Sequence, residues 1–159
     1  MTTESVYDRL KAHGINPSKQ RMAIMEYLMT HPTHPTVEEV YKALVPFIKT
    51  LSRTTVYNTL RLFSEHNAAQ MITIDEHRVC YDGNLEPHVH FFCKKCEKVY
   101  DFMEEQVPAL RYEGVPEGFQ VHEAQIYYRG LCKHCAEKLH ETFLRSPGPE
   151  RGPKHIERP

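Results

Sequence analysis

An α+β fold is predicted for this 159-residue chain, with an N-terminal winged helix-turn-helix followed by an α/β unit stapled by a four-cysteine metal site. Three observations predict it. Residues 1–66 carry stretches of apolar residues at helical spacing, residues 71–81 read as a β-hairpin, and two Cys-x-x-Cys pairs frame the strand patterns beyond.

The first helix is expected over residues 4–13, with Val6, Tyr7 and Leu10 on one side and Gly14 as its stop. The second starts near Ser18 and carries Met22, Met25 and Met29 with Ile24 and Leu28, a periodicity that reads as adaptable core packing rather than a metal box. After His31-Pro32-Thr33-His34-Pro35, the run Thr36-Val37-Glu38-Glu39 is a capping box, since the Thr36 hydroxyl and the Glu39 carboxylate can each accept the other's backbone N–H. Pro46 ends that third helix. Ser52 caps a fourth, through about His66, with Val56, Leu60 and Phe63 inward and Thr54, Tyr57, Asn58 and Arg61 outward.

The outward face of the fourth helix carries the residue types that read a DNA major groove: Arg for guanine, Asn for adenine, Tyr for phosphate or a thymine methyl. An ordinary solvated face has a similar composition. The strands expected at Met71–Ile74 and Arg78–Tyr81, with a turn at Asp75-Glu76-His77, complete a winged helix-turn-helix and favour DNA. Charge gives little support, because residues 1–82 balance nine Lys/Arg against nine Asp/Glu and the chain totals −1. DNA affinity must come from a focused patch, Lys19, Arg21, Arg53 and Arg61, and from doubling by dimerisation.

Gly83–Pro87 reads as a hinge. Beyond it, Val89–Phe92 and Lys98–Phe102 are expected to pair as a hairpin, Glu104–Tyr112 to form a short helix, Phe119–Tyr128 a strand, and Cys132 to about Leu144 a helix. Four prolines and two glycines in residues 145–159 predict a disordered tail. The organisation is thus 1–82, a DNA-binding unit; 83–87, the hinge; 88–144, a metal-binding unit; and 145–159, the tail. No apolar run approaches the roughly 18 residues of a membrane span, and Met1–Ser5 does not resemble a signal peptide, so a soluble cytoplasmic protein is expected.

Five cysteines include Cys93, Cys96, Cys132 and Cys135, two knuckles able to aim four thiolates at one Zn²⁺. A redox dithiol pair and a rubredoxin-like iron are the alternatives. Cys80 is left over as a half-buried strand residue, with a redox role beside Asp82 as the alternative. His88 and His90 alternate on a strand and share a face, with Asp82 across the hinge and Asp101 on the paired strand. The two histidines alone could be ordinary surface polarity; with the two carboxylates the set suits a second, divalent metal.

His34-Pro35-Thr36-Val37-Glu38-Glu39-Val40-Tyr41, Thr54-Thr55-Val56-Tyr57-Asn58-Thr59-Leu60, Asp82-Gly83-Asn84, His88-x-His90-Phe91-x-Cys93-x-x-Cys96 and Gly130-x-Cys132-x-x-Cys135 stand in the order of a known family. Over residues 5–144 the chain resembles the ferric uptake regulator (Fur) family of metal-responsive repressors. The resemblance implies a homodimeric repressor of a palindromic double-stranded DNA operator, with a C-terminal dimerisation domain, structural Zn²⁺ on the four cysteines, and regulatory Fe²⁺, Mn²⁺ or Zn²⁺ on His34, Asp82, His88, His90 and Asp101. Asp101, rather than Glu, resembles the peroxide-sensing branch, in which His34 and His88 would be oxidation targets.

Two departures stand out. Pro108 and Ala124 fall near positions where many members ligate a further metal, with Glu104, Glu105, His122 and Glu123 shifted away. Asn16 stands where a basic residue is usual, which weakens a minor-groove contact. Two rivals stay open on the residues: a zinc enzyme, which lacks any His-Glu-x-x-His helix or evident general base, and a constitutive zinc-stapled DNA-binding protein.

Overall fold

The computed structural model describes residues 5–75, 77–103, 114–121 and 124–145. Four helices come first: α1 (Val6–Ala12), α2 (Lys19–Thr30), α3 (Val37–Leu44) and α4 (Arg53–Glu65). Each has a hydroxyl at its N-cap, Ser5, Ser18, Thr36 and Ser52, accepting a backbone N–H of the first turn. The expected capping box is formed in full at Thr36 and Glu39. Leu10, Ile24, Met25, Leu28, Val40, Val56, Leu60 and Phe63 make the core of this bundle. Tyr7, expected to face inward, is 51% exposed, because α1 buries only the Leu10 side of its turns.

β1 (Gln70–Ile72) and β2 (Cys80–Asp82) pair antiparallel, with Ile72 opposite Cys80. The hairpin is shorter than the sequence suggested and shifted outward from its turn. Asp75 accepts from the His77 N–H and from Arg78, and this local turn takes the chain out of the ladder. Ile72, Ile74 and Cys80 are buried against Phe92, Val99 and Tyr127, so the hairpin packs on the second sheet. Cys80 is therefore buried rather than half-buried.

The second sheet has the order β4-β3-β5, built from β3 (His88–Cys93), β4 (Val99–Met103) and β5 (Tyr127–Gly130). β4 is antiparallel to β3, and β5 runs parallel to it. The strand expected over 119–128 begins only at Tyr127. Among its described residues, 119–121 and 124–126 stay out of the ladder, although Ile126 O accepts from His90 N–H. α5 (Lys133–Arg145) closes the described chain. The helix expected at 104–112 and nearly all of the tail expected at 145–159 lie outside the described residues. Among the described residues no helix is long and apolar enough to cross a membrane.

Candidate metal centres

Two knuckles bring Cys93, Cys96, Cys132 and Cys135 together, with all four sulfurs within 4.8 Å of one another. Zinc–thiolate bonds of about 2.3 Å in a tetrahedron separate neighbouring sulfurs by about 3.8 Å. Cys96 and Cys132 stand 3.9 Å apart, and every cysteine is free of disulfide, so the residues fit a tetrahedral zinc. The first knuckle is fixed by backbone bonds from Lys94 N–H to Gly130 O and from Glu97 N–H to Cys93 O. Glu97 takes a left-handed φ of 58° to close it. Burial opposes a Cys93 thiolate, but the N–H groups of Cys132, Cys96 and Lys95 outweigh burial and bring the thiol down to about 6. Burial and the neighbouring sulfurs push Cys135 up to about 12, which a bound cation would reverse. Tyr100, a residue outside the sequence-predicted site, points its hydroxyl to within 3.9 Å of Cys96 Sγ. The i+4 spacing of Cys96 and Tyr100 across the hairpin turn was the available signal.

The second cluster is assembled from four elements. His34 comes from the loop between α2 and α3, Asp82 ends β2, His88 and His90 lie on one face of β3, and Asp101 sits opposite His90 on β4. Ligand atoms of His34, Asp82, His90 and Asp101 all lie within 4.8 Å of one another. His88 joins them, with Nε2 at 2.8 Å from Asp82 Oδ2 and 3.0 Å from His90 Nε2. His34 Nε2 is 2.8 Å from Asp101 Oδ1 and 3.6 Å from Asp82 Oδ2, and His90 Nε2 is 3.3 Å from Asp82 Oδ2. Donor bonds of about 2.1 Å put neighbouring ligand atoms about 3.0–3.4 Å apart, so these spacings fit a single divalent cation.

Local structure prepares the imidazoles. His88 Nδ1–H donates to Glu86 O at 2.5 Å, so in the neutral ring Nε2 carries a bare lone pair facing the cluster. His34 adopts φ 52° immediately before Pro35, a left-handed conformation held while Tyr81 N–H donates to Pro35 O. Asp82 receives the Asn84 N–H on Oδ1, which leaves Oδ2 to the rings. Burial disfavours charge on His34, but the Asp101 and Asp82 carboxylates outweigh it and raise its pKa to about 9. Asp82 raises His88 as well. Burial likewise disfavours charge on Asp82, yet His34, His88 and His90 hold its carboxyl far below the usual range. Asp101 has 21% of its side chain exposed while the other four are nearly sealed, so the cluster opens to solvent on the Asp101 side.

The residues expected to face DNA are more engaged within the protein than the sequence suggested. Thr54, Tyr57, Asn58 and Arg61 do line the outer face of α4, and Lys19 is exposed at the start of α2. Arg53, however, forks onto both Glu38 oxygens at 2.7 and 3.0 Å and lies over the Tyr41 ring, tying α4 to α3. Arg61 pairs with Glu65 at 2.7 Å, and Arg21 donates to Asn16 O at 2.8 Å. Of the further metal site, Ala124 carries no donor, and Glu104, Glu105, Pro108, His122 and Glu123 lie outside the described residues.

The family model described as the ferric uptake regulator family matches residues 12–129. The chain belongs to that family. Among Fur-family relatives, it is 36% identical over 132 residues to the peroxide-responsive repressor PerR of Staphylococcus aureus, a match spanning 81% of this chain and 88% of that protein. Its fold is that of solved Fur proteins. The ferric uptake regulator of Francisella tularensis with iron superposes with a TM-score of 0.61 at 23% identity, covering 77% of this chain and 96% of that one. That of Pseudomonas aeruginosa with manganese gives 0.63 at 20% identity, covering 82% and 99%.

Proposed function

We propose that this Fur-family chain is a metal-dependent DNA-binding repressor that senses peroxide or iron through the His/Asp cluster, and is not an enzyme. The observation that carries the reading is the convergence of His34 and Asp82 with His88, His90 and Asp101, from both sides of residues 83–87. These five would hold Fe²⁺ or Mn²⁺, with Zn²⁺ as an alternative occupant, while Cys93, Cys96, Cys132 and Cys135 would hold a structural Zn²⁺. We place the winged-helix unit at 1–82, the hinge at 83–87, the dimerisation and metal unit at 88–144 and the tail at 145–159.

The switch follows from geometry. A cation shared by His34, Asp82, His88, His90 and Asp101 favours the one arrangement in which the α2–α3 loop and the β3–β4 hairpin meet. To drive an equilibrium from 1:99 to 99:1 it must bind that arrangement about 10⁴-fold better. On the DNA side, Tyr57, Asn58, Thr54 and Arg61 on α4 would face the major groove, with Lys19 and Arg21 near phosphate. Arg53 would join that basic patch while orienting α4 through Glu38. Because both arms of a palindrome must be met, the chain acts as a homodimer in the cytoplasm. Leu139, Phe143 and Leu144 of α5, 58, 83 and 71% exposed, are apolar surface that a second copy would cover.

The peroxide-responsive reading draws on the PerR relative and on Asp101 as the fifth ligand. Bound Fe²⁺ would supply oxygen transfer from hydrogen peroxide, one oxygen going onto an imidazole carbon of His34 or His88 and the other leaving as water. Metal analysis and peptide mass spectrometry test the reading together. Two metals per chain, with an added oxygen on the His34 or His88 peptide after Fe²⁺ and peroxide, are expected. One metal per chain would leave only a constitutive zinc-stapled protein, and two metals without added oxygen would make it a metal-homeostasis repressor.

A further inference from the structure

Helix α1 touches the metal cluster's support without supplying a ligand. The Arg9 guanidinium donates to the carbonyl oxygen of Gly83, 74 residues away and directly after Asp82. Gly83 in turn lies on the last turns of α2. A Cβ added there would stand 2.9 Å from both the carbonyl carbon and the carbonyl oxygen of Leu28, backbone atoms that cannot turn aside. Only glycine allows this approach. The residue on either side of Gly83 is engaged as well, since Asn84 N–H donates to Asp82 Oδ1 at 2.8 Å. Asp82 Oδ2, now fixed in direction, is the carboxylate oxygen that His88, His90 and His34 surround.

The other end of α1 is tied to α4. His13 Nδ1–H donates to His66 O, and His66 Nδ1–H donates to His13 O, both at 3.0 Å. His13 is the C-cap of α1 and His66 the C-cap of α4. Leu10, fully buried in the core, keeps α1 seated in the bundle. One short helix therefore spans from the Asp82–Gly83 junction to the end of the helix that carries Tyr57 and Asn58.

We propose that Arg9 is a positioning residue of the regulatory centre: with Gly83 packed on Leu28 it latches Asp82 in its ligating direction, so that α1 sets the affinity of the His/Asp cluster for its divalent cation. This rests on the metal-site reading above. The carbonyl of Gly83 is held by a charged donor, and such bonds are worth enough that losing one weakens a dependent equilibrium by about tenfold or more. Arg9 is a property of this chain's α1 and not of the ligand set.

Equilibrium Mn²⁺ binding, measured by competition with a chelating dye on the zinc-loaded full chain, tests the latch. Mn²⁺ is chosen because it occupies the site without peroxide chemistry. Arg9→Met, which keeps the stem and removes the donor, is expected to bind Mn²⁺ about tenfold more weakly, with one zinc per chain and cooperative thermal unfolding retained. Arg9→Lys, which restores a cationic donor, recovers most of that affinity. Gly83→Ala, acting on the same junction from the other side, is expected to weaken Mn²⁺ binding as well. Wild-type affinity in Arg9→Met overturns the latch, as does a loss of Mn²⁺ binding accompanied by loss of zinc and cooperative unfolding, which would make Arg9 merely structural. If the wild-type chain bound no Mn²⁺ at all, the metal-site reading would fall and the latch with it.

Discussion

His34 shows at the scale of one residue how the centre couples protons to metal. Its pKa, raised from 6.5 to about 9 by Asp101 and Asp82 against the cost of burial, means that the metal-free ring is charged at neutral pH. In the metal-free protein the stability from that charge is fully present below pH 6.5 and is lost as pH rises through about 9. A cation needs the bare Nε2, so its binding releases this proton. Mn²⁺ affinity should therefore climb with pH and level off near 9, and the slope should fall by about one proton in His34→Ala; calorimetry in buffers of different ionisation enthalpy would read it. The zinc cysteines behave differently. Cys132→Ser removes one of four thiolates, and since a structural zinc contributes on the order of 10 kcal/mol, the variant should lose zinc and the cooperative unfolding of β3–β5 and α5. Zinc retained at one per chain after gel filtration would contradict the four-sulfur assignment. Both clusters were legible in the sequence, the four cysteines from their paired spacing and the His/Asp set from alternation on a strand, with His34 added by the family resemblance. Tyr100 and Arg9 were not, since a tyrosine on a strand and an arginine on a short helix have many ordinary uses until their partners, distant in sequence, are known.

Helices and knuckles carry the next layer. The caps at Ser18, Thr36 and Ser52 were readable because they are local, each a side chain and an N–H three residues apart. The wing and β5 were less so. Alternation in Phe119–Tyr128 suggested a long strand, but pairing to β3 starts only at Tyr127, and a parallel partner leaves no local signature. Arg53 is held by Glu38, 15 residues back, a partner that no local spacing reveals. Tyr57 is 49% exposed on α4 and not part of the core, so Tyr57→Ala should weaken operator binding several-fold with the melting temperature unchanged. Equal affinity in a gel shift would remove it from the groove. At the first knuckle, Glu97 holds φ 58° where a side chain is strained. Its carbonyl, not its carboxylate, receives Arg78, so Glu97→Gly keeps that bond and should raise zinc-loaded stability by about 0.5–1 kcal/mol in denaturant unfolding. A destabilised Glu97→Gly would show that the side chain holds the turn.

Across the whole molecule, the two metal clusters do different work on one sheet. Cys93 ends β3 and belongs to the sulfur site, while His88 and His90 of the same strand face the cluster shared with His34 and Asp82. The sulfur site joins β3, the knuckle and α5 into one frame. The His/Asp cluster joins that frame to the α2–α3 loop and β2, and α1 braces the join from behind at Gly83. Metal occupancy is thereby tied to the position of α4 relative to the frame. A gel-shift titration of the zinc-loaded chain on its operator, with and without saturating Mn²⁺, tests it most directly. Tight binding that requires Mn²⁺ in the wild type and is lost in His90→Ala, with zinc still at one per chain, is the predicted result. Equal binding with and without Mn²⁺ would show that the cluster does not control DNA binding.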